Sequence, residues 1–423
     1  MQNQIYEVVD LLRKGEHPES KLNEVLAEVP KLTEEEDLEA LFILGDALMS
    51  LGLHKEGETV FTHLNAHVGH DDEVLSYLID IMITDGRLDE ALSLVNSAEK
   101  TPAILILKAE IFQQLNMNDV AVKSLHEAKM LSDDPILDFG LAEIHYQDGQ
   151  FPEAIRFYEM LTANDINEVN GIELNLRLAE LHMNQLELES AKDYFEAVDE
   201  SKYTNDDLYR KALLNYQLQS YESAKQLLGK VIENEPYFVN SYILLMNIYE
   251  TEHDLEAAKD LLKRYILEDD TDALFFFHLG RLHFRSGESD EAITNFSRAI
   301  ALDEDYDDAY LMLFETLLKS SRTDEIGAYT SHLDIHALSG ESLYLLAKIQ
   351  QENENDDDAL SLYQEAAMLI GDSLEFYTDY YGYLTEIRHP SRMEVLDKLR
   401  LIEPDNVEWQ FEKERLDDEY DEI

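Results

Sequence analysis

Small and aromatic side chains recur along this chain at intervals of about 34 residues, and this period limits the folds that the chain can adopt. Gly280 lies 34 residues after Met246, and Ala292 follows Ala258 and Ala224 at the same step. Between these points apolar residues recur at i, i+3, i+4 and i+7, which predicts amphipathic helices. A repeat of this length is a supersecondary unit that buries its apolar faces only against its neighbours. The period therefore predicts a linear array of helical units.

Counting along the chain gives eleven such units, separated by 30 to 37 residues. Few segments alternate with period two, so helices are expected throughout. The small residue seen at Ala292 returns in most other units, which makes the period unlikely to be accidental. The units begin at residues 38, 72, 102, 135, 172, 205, 239, 273, 307, 340 and 374.

The unit from Ala273 supplies Phe276, Leu279, Gly280, His283, Gly287, Ala292, Phe296 and Ala299, and the unit from Leu38 supplies Leu41, Leu44, Gly45, Leu48, Gly52, Gly57, Phe61 and Leu64. This pattern resembles the tetratricopeptide repeat (TPR), a 34-residue helix-turn-helix. The resemblance covers nearly the whole chain and is weak over 307–339, where Ile326 and Thr330 replace the small and aromatic residues, and over 374–401. More loosely, the chain is similar to the acidic YpiA-like TPR proteins of Gram-positive bacteria. The resemblance implies an all-α, right-handed superhelical solenoid of about eleven units with terminal capping helices.

Gly280 is unexpected inside a helix, because glycine costs about 1 kcal/mol there relative to alanine. We expect a close helix crossing to offset this cost, with Leu279 and Gly280 of the first helix facing Ala292 of the second.

The repeat pattern also suggests where the array begins, divides and ends. Residues 1–37 are expected to form N-terminal capping helices, 38–165 a first subarray with an acidic groove, and 166–404 a second subarray. The long loop at 162–171 is either the division between them or a surface insertion, which loops tolerate at little entropic cost. Residues 405–423 are expected to form a capping helix, with Trp409 and Phe411 covering the last unit, and a disordered acidic tail.

Charge restricts the possible partners. The chain has 91 acidic and 33 basic residues, a formal net charge of -58 and no cysteine. Such a surface repels nucleic-acid phosphates and anionic lipid and favours encounter with cationic partners. No apolar run approaches the roughly 18 residues that span a bilayer. We expect a cytoplasmic, bacterial protein.

The resemblance implies that the first helix of each unit lines a concave groove through its positions 2, 5, 9 and 12. Carboxylates between aromatic rings suit lysine and arginine side chains, through charge-assisted hydrogen bonds and cation–π contacts. The alternatives are that the acids form an ordinary solvated face and that the rings belong to the core between repeats. Position 9 carries Asp46, Asp80, Glu110, Glu143 and Glu180 in five consecutive units and Arg281 later, and the neighbouring aromatics are Phe42, Phe139, Tyr146, Tyr209, Tyr216, Phe277 and Phe284.

Catalytic and metal-binding motifs are scarce. The best metal candidate is His63, His67 and His70, followed by Asp71 and Asp72. These histidines fall at a helix end and turn, so we interpret them as structural and expect no metal or cofactor. The sequence contains no glycine-rich phosphate loop, nucleophile elbow or His-Glu-x-x-His motif, and we expect no enzymatic activity.

The leading hypothesis is a non-enzymatic scaffold or adaptor that binds a basic or amphipathic segment of a partner protein in its groove. Position 5 carries no lysine or arginine in any unit, which argues against the clamp that chaperone-binding relatives use for a terminal carboxylate. Two alternatives are a regulatory receptor for a short peptide and an acidic mimic of nucleic acid that sequesters a basic protein.

Overall fold

The computed structural model describes residues 1–16, 18–68, 71–330 and 333–421, with side chains up to residue 417. Its contacts divide the chain into two compact units, Met1–Arg210 and Lys211–Ile423. Within the described residues each unit is built almost entirely from α-helices, which confirms the predicted all-α array.

In the first unit, consecutive helices pack as pairs, α3 on α4, α7 on α8 and α9 on α10. Its helices are α1 Gln2–Arg13, α2 Glu19–Glu28, α3 Glu35–Ser50, α4 His54–Val68, α5 Asp72–Thr84, α6 Leu88–Ser97, α7 Pro102–Gln114, α8 Asn118–Lys129, α9 Pro135–Gln147, α10 Phe151–Thr162, α11 Leu174–Asn184 and α12 Leu188–Glu196. Helix α13, Asn205–Gln217, contains the boundary between the two units.

The second unit repeats this pairing, for example of α17 with α18 and of α20 with α21. Its helices are α14 Tyr221–Asn234, α15 Val239–Thr251, α16 Leu255–Glu268, α17 Ala273–Arg285, α18 Ser289–Leu302, α19 Asp307–Lys319, α20 Gly340–Glu352, α21 Asp356–Leu369, α22 Leu374–Glu386, α23 Arg392–Ile402 and α24 Val407–Asp421.

A left-handed residue ends the first helix of all eleven predicted repeats, always at position 15 of the unit. Their φ angles lie between 53° and 78°, and the next residue donates its N–H to the carbonyl five residues earlier, as Leu53 does to Leu48 at 2.9 Å. This is the hydrogen bond of a Schellman C-cap, which directs the chain into the second helix. Only four of the eleven are glycine. The residues are Gly52, Gly86, Asn116, Gly149, Leu186, Gln219, His253, Gly287, Ser321, Glu354 and Arg388.

Glycine in the first helix admits an aromatic ring from the second. A Cβ atom at Gly280 would lie 2.7 Å from the ring of Phe296, and one at Gly45 would lie 2.7 Å from the ring of Phe61. The expected close crossing is therefore present, but the prediction that Gly280 faces Ala292 is wrong. The residue it contacts lies one helical turn further along α18, because the large ring of Phe296 fills the space that the glycine leaves open.

The repeat from Asp307 departs from the predicted helix-turn-helix. After α19, the described residues contain only two 3-10 helices, Thr323–Ala328 and Ile335–Ala337. The weak sequence pattern has a physical reason here: Gly327, Thr323 and Thr330 are poor helix formers, and Ile326 stands where the other repeats carry a small residue. Ile326 is nevertheless buried in the core of the second unit.

The loop at 162–171 does not divide the array. It leads into a two-strand hairpin, β1 Glu168–Val169 and β2 Ile172–Glu173, which turns at Gly171 with φ of 78°. Ile166, Val169 and Ile172 pack against a hydrophobic core that continues from α7 to α11. Contacts separate the two units after Arg210 instead of after residue 165, because the apolar hairpin joins the helices on either side of it.

The chain ends also differ in part from the prediction. Helix α1 packs on α3 and α2, and Trp409 packs edge-on to Tyr381 at a ring distance of 6.0 Å. Phe411 is 65% exposed, so it does not cover the last repeat, and Leu416 is the buried residue of α24 instead. The backbone remains helical to Asp421, so the prediction of a disordered tail is wrong for residues 417–421.

We predict that Gly280→Leu lowers the free energy of unfolding by about 1–3 kcal/mol, because the new side chain overpacks the contact with Phe296. Urea unfolding followed by circular dichroism measures the effect.

Gly229→Ala on α14 is the matched control, since a Cβ there would meet no atom within 4 Å. Helix propensity alone should then stabilise the chain by up to about 1 kcal/mol. A change of the same sign in both variants would refute the packing explanation.

Candidate functional site

Five predicted carboxylates lie on five successive first helices of the first unit. We call this set the acidic wall: Asp46 on α3, Asp80 on α5, Glu110 on α7, Glu143 on α9 and Glu180 on α11. All are at position 9 of their repeats. Whether each one can bind a partner depends on whether the protein already supplies it with a cation or a hydrogen-bond donor.

Position 9 of one repeat meets position 6 of the next, 31 residues later. The Tyr77 hydroxyl donates to Asp46 at 2.8 Å, and the Arg210 guanidinium lies 3.6 Å from Glu180. Arg177 approaches Glu143 in the same register at 3.9 Å. This spacing follows from the 34-residue period, because neighbouring first helices are offset by about one turn. The residue at position 6 therefore decides whether the preceding carboxylate is neutralised.

Glu143 and Glu180 are neutralised internally. Arg177 lies between them, with its guanidinium 4.3 Å from the centre of the Tyr146 ring and 3.4 Å from Glu180. The Tyr158 hydroxyl donates to Glu143, and the Tyr146 hydroxyl donates to Glu180 at 3.0 Å. The two glutamate side chains are only 20% and 18% exposed. Burial, followed by the bond to Glu143, raises the pKa of Tyr158, which therefore remains a donor.

Asp80 and Glu110 lack these partners. The residues that follow them at the 31-residue spacing are Leu107 and Gly140, neither of which carries a charge. Across the described chain, neither carboxylate has an ion pair or a hydrogen bond to its side chain, and both residues are exposed. Desolvation, and then the charge of Asp80, raise the pKa of Glu110 above its usual range. An exposed carboxylate with a raised pKa is expected on a concave surface beside a like charge.

Asp46 is intermediate between these two cases. It accepts one hydrogen bond from Tyr77 and has no cationic neighbour among the described residues. The Tyr77 ring stacks on Phe61 at 4.3 Å, and burial together with the bond to Asp46 raises the pKa of Tyr77 to about 12. Tyr77 thus stays protonated and keeps its hydrogen bond to Asp46.

The predicted aromatic residues of the first unit are mainly packing residues. Phe139 is only 7% exposed and belongs to the core. Phe42 is half-buried and meets Phe61 and Tyr77 edge-on, at ring distances of 5.9 and 6.0 Å. Tyr209 is also half-buried, and burial raises its pKa. Together with Tyr146, which holds Arg177, these rings support the wall more than they extend it towards solvent.

In the second unit the predicted residues also have internal partners. Arg281 donates to Glu250 at 3.0 Å, again across 31 residues, and Lys319 lies 4.5 Å above the Phe284 ring. Phe277 packs against Tyr306 at 5.1 Å. Tyr216 packs against Tyr221 at 5.8 Å.

Sequence reasoning missed the residues that neutralise half of the wall, namely Tyr77, Tyr158, Arg177 and Arg210. A search for complementary residues 31 positions apart would have found three of them. Tyr158 would have required the additional knowledge that position 24 faces position 9 of the same repeat.

The histidine cluster is structural where it is described. His63 Nε2 lies 2.6 Å from the carbonyl oxygen of Leu32, and His67 Nδ1 lies 2.9 Å from that of His63. His70 lies outside the described residues. Over the described part of the chain, no three histidine or carboxylate side chains approach closely enough to hold a metal ion. Within the same residues, no helix combines the length and apolar character needed to span a bilayer.

Comparisons with known proteins agree with the repeat pattern. A model of YpiA-like tetratricopeptide repeats matches residues 113–166, and two tetratricopeptide repeat models match residues 208–236 and 247–325. The chain is 24% identical over 430 residues to the TPR repeat-containing protein YpiA of Bacillus subtilis (strain 168), which covers 99% of this chain and 100% of that protein.

Solved structures of repeat proteins are similar at lower identity. The C-terminal part of a TPR repeat-containing protein from Cytophaga hutchinsonii is 15% identical, with a TM-score of 0.45 over 63% of this chain and 96% of that one. A tetratricopeptide repeat protein from Parabacteroides merdae is 16% identical, with a TM-score of 0.39 over 71% of this chain and 98% of that one.

We predict that Glu110→Gln raises the free energy of unfolding at pH 7, by less than about 1 kcal/mol because the group is exposed. The folded-state pKa of Glu110 is raised, so its ionised form destabilises the fold at neutral pH. The advantage of the variant should disappear as the pH falls through the pKa of Glu110. Urea unfolding at several pH values measures this.

Glu143→Gln is the matched control and should have the opposite effect at pH 7. It removes a charge beside the mostly buried Arg177 and should lower the free energy of unfolding by about 1–2 kcal/mol. If the two substitutions change stability alike, the division of the wall into paired and unpaired carboxylates is wrong.

Proposed function

We propose that this chain, a tetratricopeptide-repeat protein with YpiA-like repeats, is a non-enzymatic scaffold that holds a basic or amphipathic segment of a partner protein against Asp80 and Glu110. Its repeat fold supports protein–protein interaction in general. The proposal of a basic partner depends on the unequal pairing along the acidic wall.

The observation that carries the proposal is the environment of Arg177. The wall already binds one guanidinium, between Glu143 and Glu180 and over the Tyr146 ring. One repeat earlier, Gly140 stands where Arg177 would stand, and Leu125 replaces the hydroxyl of Tyr158. A lysine or arginine of a partner would supply at Glu110 the charge that Arg177 supplies at Glu143.

Electrostatics favours the same partner. A net charge of -58 raises the local concentration of cationic segments and speeds their encounter with the protein. The two unpaired carboxylates then provide a specific place on this acidic surface, because the repulsion between Asp80 and Glu110 is relieved when a cation binds.

The sequence alternatives make different predictions about salt. A mimic of nucleic acid would bind through summed charge, so its affinity would fall steeply with salt and depend little on which carboxylates are present. A receptor for a short peptide would share the groove but would need a conformational output. The first two differ in a single binding experiment.

The experiment titrates the full chain into a fluorescein-labelled, arginine-containing amphipathic helical peptide and follows anisotropy. Asp80→Lys with Glu110→Lys reverses the open pair. The control is Asp119→Lys with Glu153→Lys, which makes the same change in net charge at exposed residues of the second helices α8 and α10. Measurements at about 0.15 M and about 1 M salt vary the screening length from about 8 Å to about 3 Å.

We expect the wall variant to bind at least about tenfold more weakly at 0.15 M salt, a loss of about 1.4 kcal/mol. The control should lose less than about threefold, because its charges lie away from the bound peptide. Equal losses in the two variants would support binding by overall charge and contradict the proposal. Unchanged binding by the wall variant would contradict it as well.

A further inference from the structure

The repeat from Asp307 leaves an open apolar cleft beside its incomplete second half. Elsewhere in the second unit, a second α-helix packs against the first helices on either side of it. Here, within the described residues, the Thr323–Ala328 3-10 helix takes its place, and it is too short to cover the same surface. Ile326 fills the core position, but the neighbouring surface stays uncovered.

We call this opening the Tyr310 cleft. Its volume is about 400 Å³, within the range of sites that enclose a ligand or an anchoring side chain. One wall is the end of α18, with Ile300 and the exposed Ala301. Tyr310 of α19 forms the floor, and Ala328 and Tyr329 form the other wall.

The charge at the mouth of the cleft is negative. Glu304 lines it, and Asp303 and Asp305 flank Glu304 in the chain. Nearby cations are already paired, Arg298 with Asp270 and Arg322 with Asp290 and Glu325. An occupant with an apolar anchor and a basic neighbour would therefore match both the lining and the rim.

We propose that the Tyr310 cleft docks a short amphipathic helix of a partner protein. The helix places one large apolar side chain between Ile300 and Tyr329 and a basic side chain against Glu304. In doing so it covers the surface that a second α-helix covers in the other repeats. A second copy of this chain is a poor occupant, because each copy carries a net charge of -58 and the rim is acidic.

This surface is distinct from the acidic wall. It is formed by a second helix, a first helix and the 3-10 segment of the second unit, whereas Asp80 and Glu110 belong to first helices of the first unit. Binding at the cleft requires an apolar anchor, so it should persist at high salt where binding by charge alone is screened.

The test uses the full chain and a labelled helical peptide with leucines at i, i+3, i+4 and i+7 and lysines beside them, measured by anisotropy at about 0.5 M salt, where the screening length is about 4 Å. Ala301→Glu and Ala328→Glu each place a carboxylate in the cleft at an exposed position that the fold does not need. Ala163→Glu, an exposed alanine of the first unit, makes the same chemical change elsewhere. Hydrogen exchange of residues 297–304 and 323–329 locates the bound peptide.

We expect the peptide to protect both segments, and each cleft variant to bind at least about tenfold more weakly than the Ala163→Glu control. A peptide with serines in place of leucines should not bind. The proposal is overturned if the leucine peptide fails to bind, if the cleft variants bind it as the control does, or if the serine peptide binds equally well. The Asp80→Lys with Glu110→Lys variant should keep cleft binding, so failure of the proposed function and failure of this inference give different results.

Discussion

Contact between successive first helices, from position 9 of one repeat to position 6 of the next, is the interaction on which the site depends. A repeat of this kind has no complete core, so it is stabilised by its neighbours. The left-handed turn at position 15 and the close approach of glycine to an aromatic ring, as at Gly280 and Phe296, hold each helix pair in a fixed geometry. Since the geometry repeats, side chains 31 residues apart meet again and again, and the chemistry of the surface depends on which residues occupy those two positions.

This register divides one acidic series into two kinds of site. Where position 6 supplies Arg177 or Arg210, the preceding glutamate becomes part of an internal network. Where it supplies Leu107 or Gly140, the carboxylate stays open, at some cost to the stability of the fold. Residues that are kept at a cost to stability are typical of functional surfaces. The same reasoning applies to the repeat from Asp307, where the incomplete second half leaves apolar surface uncovered.

Much of the fold could be predicted from the sequence, because the period, the small residues and the apolar spacing all follow from the geometry of one repeat. All eleven predicted units are confirmed by a left-handed residue at position 15, although most of these residues, such as Leu186 and Arg388, give no sequence signal for that conformation. The partner of Gly280 was predicted wrongly because the crossing point of two helices depends on ring size and on the angle between the helices. Phe411 is exposed for a similar reason, since a two-residue aromatic pattern cannot tell which face of α24 packs.

The site was only partly predictable. The acidic series could be read from position 9, but its pairing depends on residues of the next repeat, which a search within single repeats does not detect. The most direct test is a carboxyl carbon NMR titration of the full chain with the arginine-containing peptide. We predict that the signals of Asp80 and Glu110 shift on binding, while those of Glu143 and Glu180, held by Arg177, stay in place. Shifts of all four signals alike, or of Glu143 and Glu180 alone, would contradict the account.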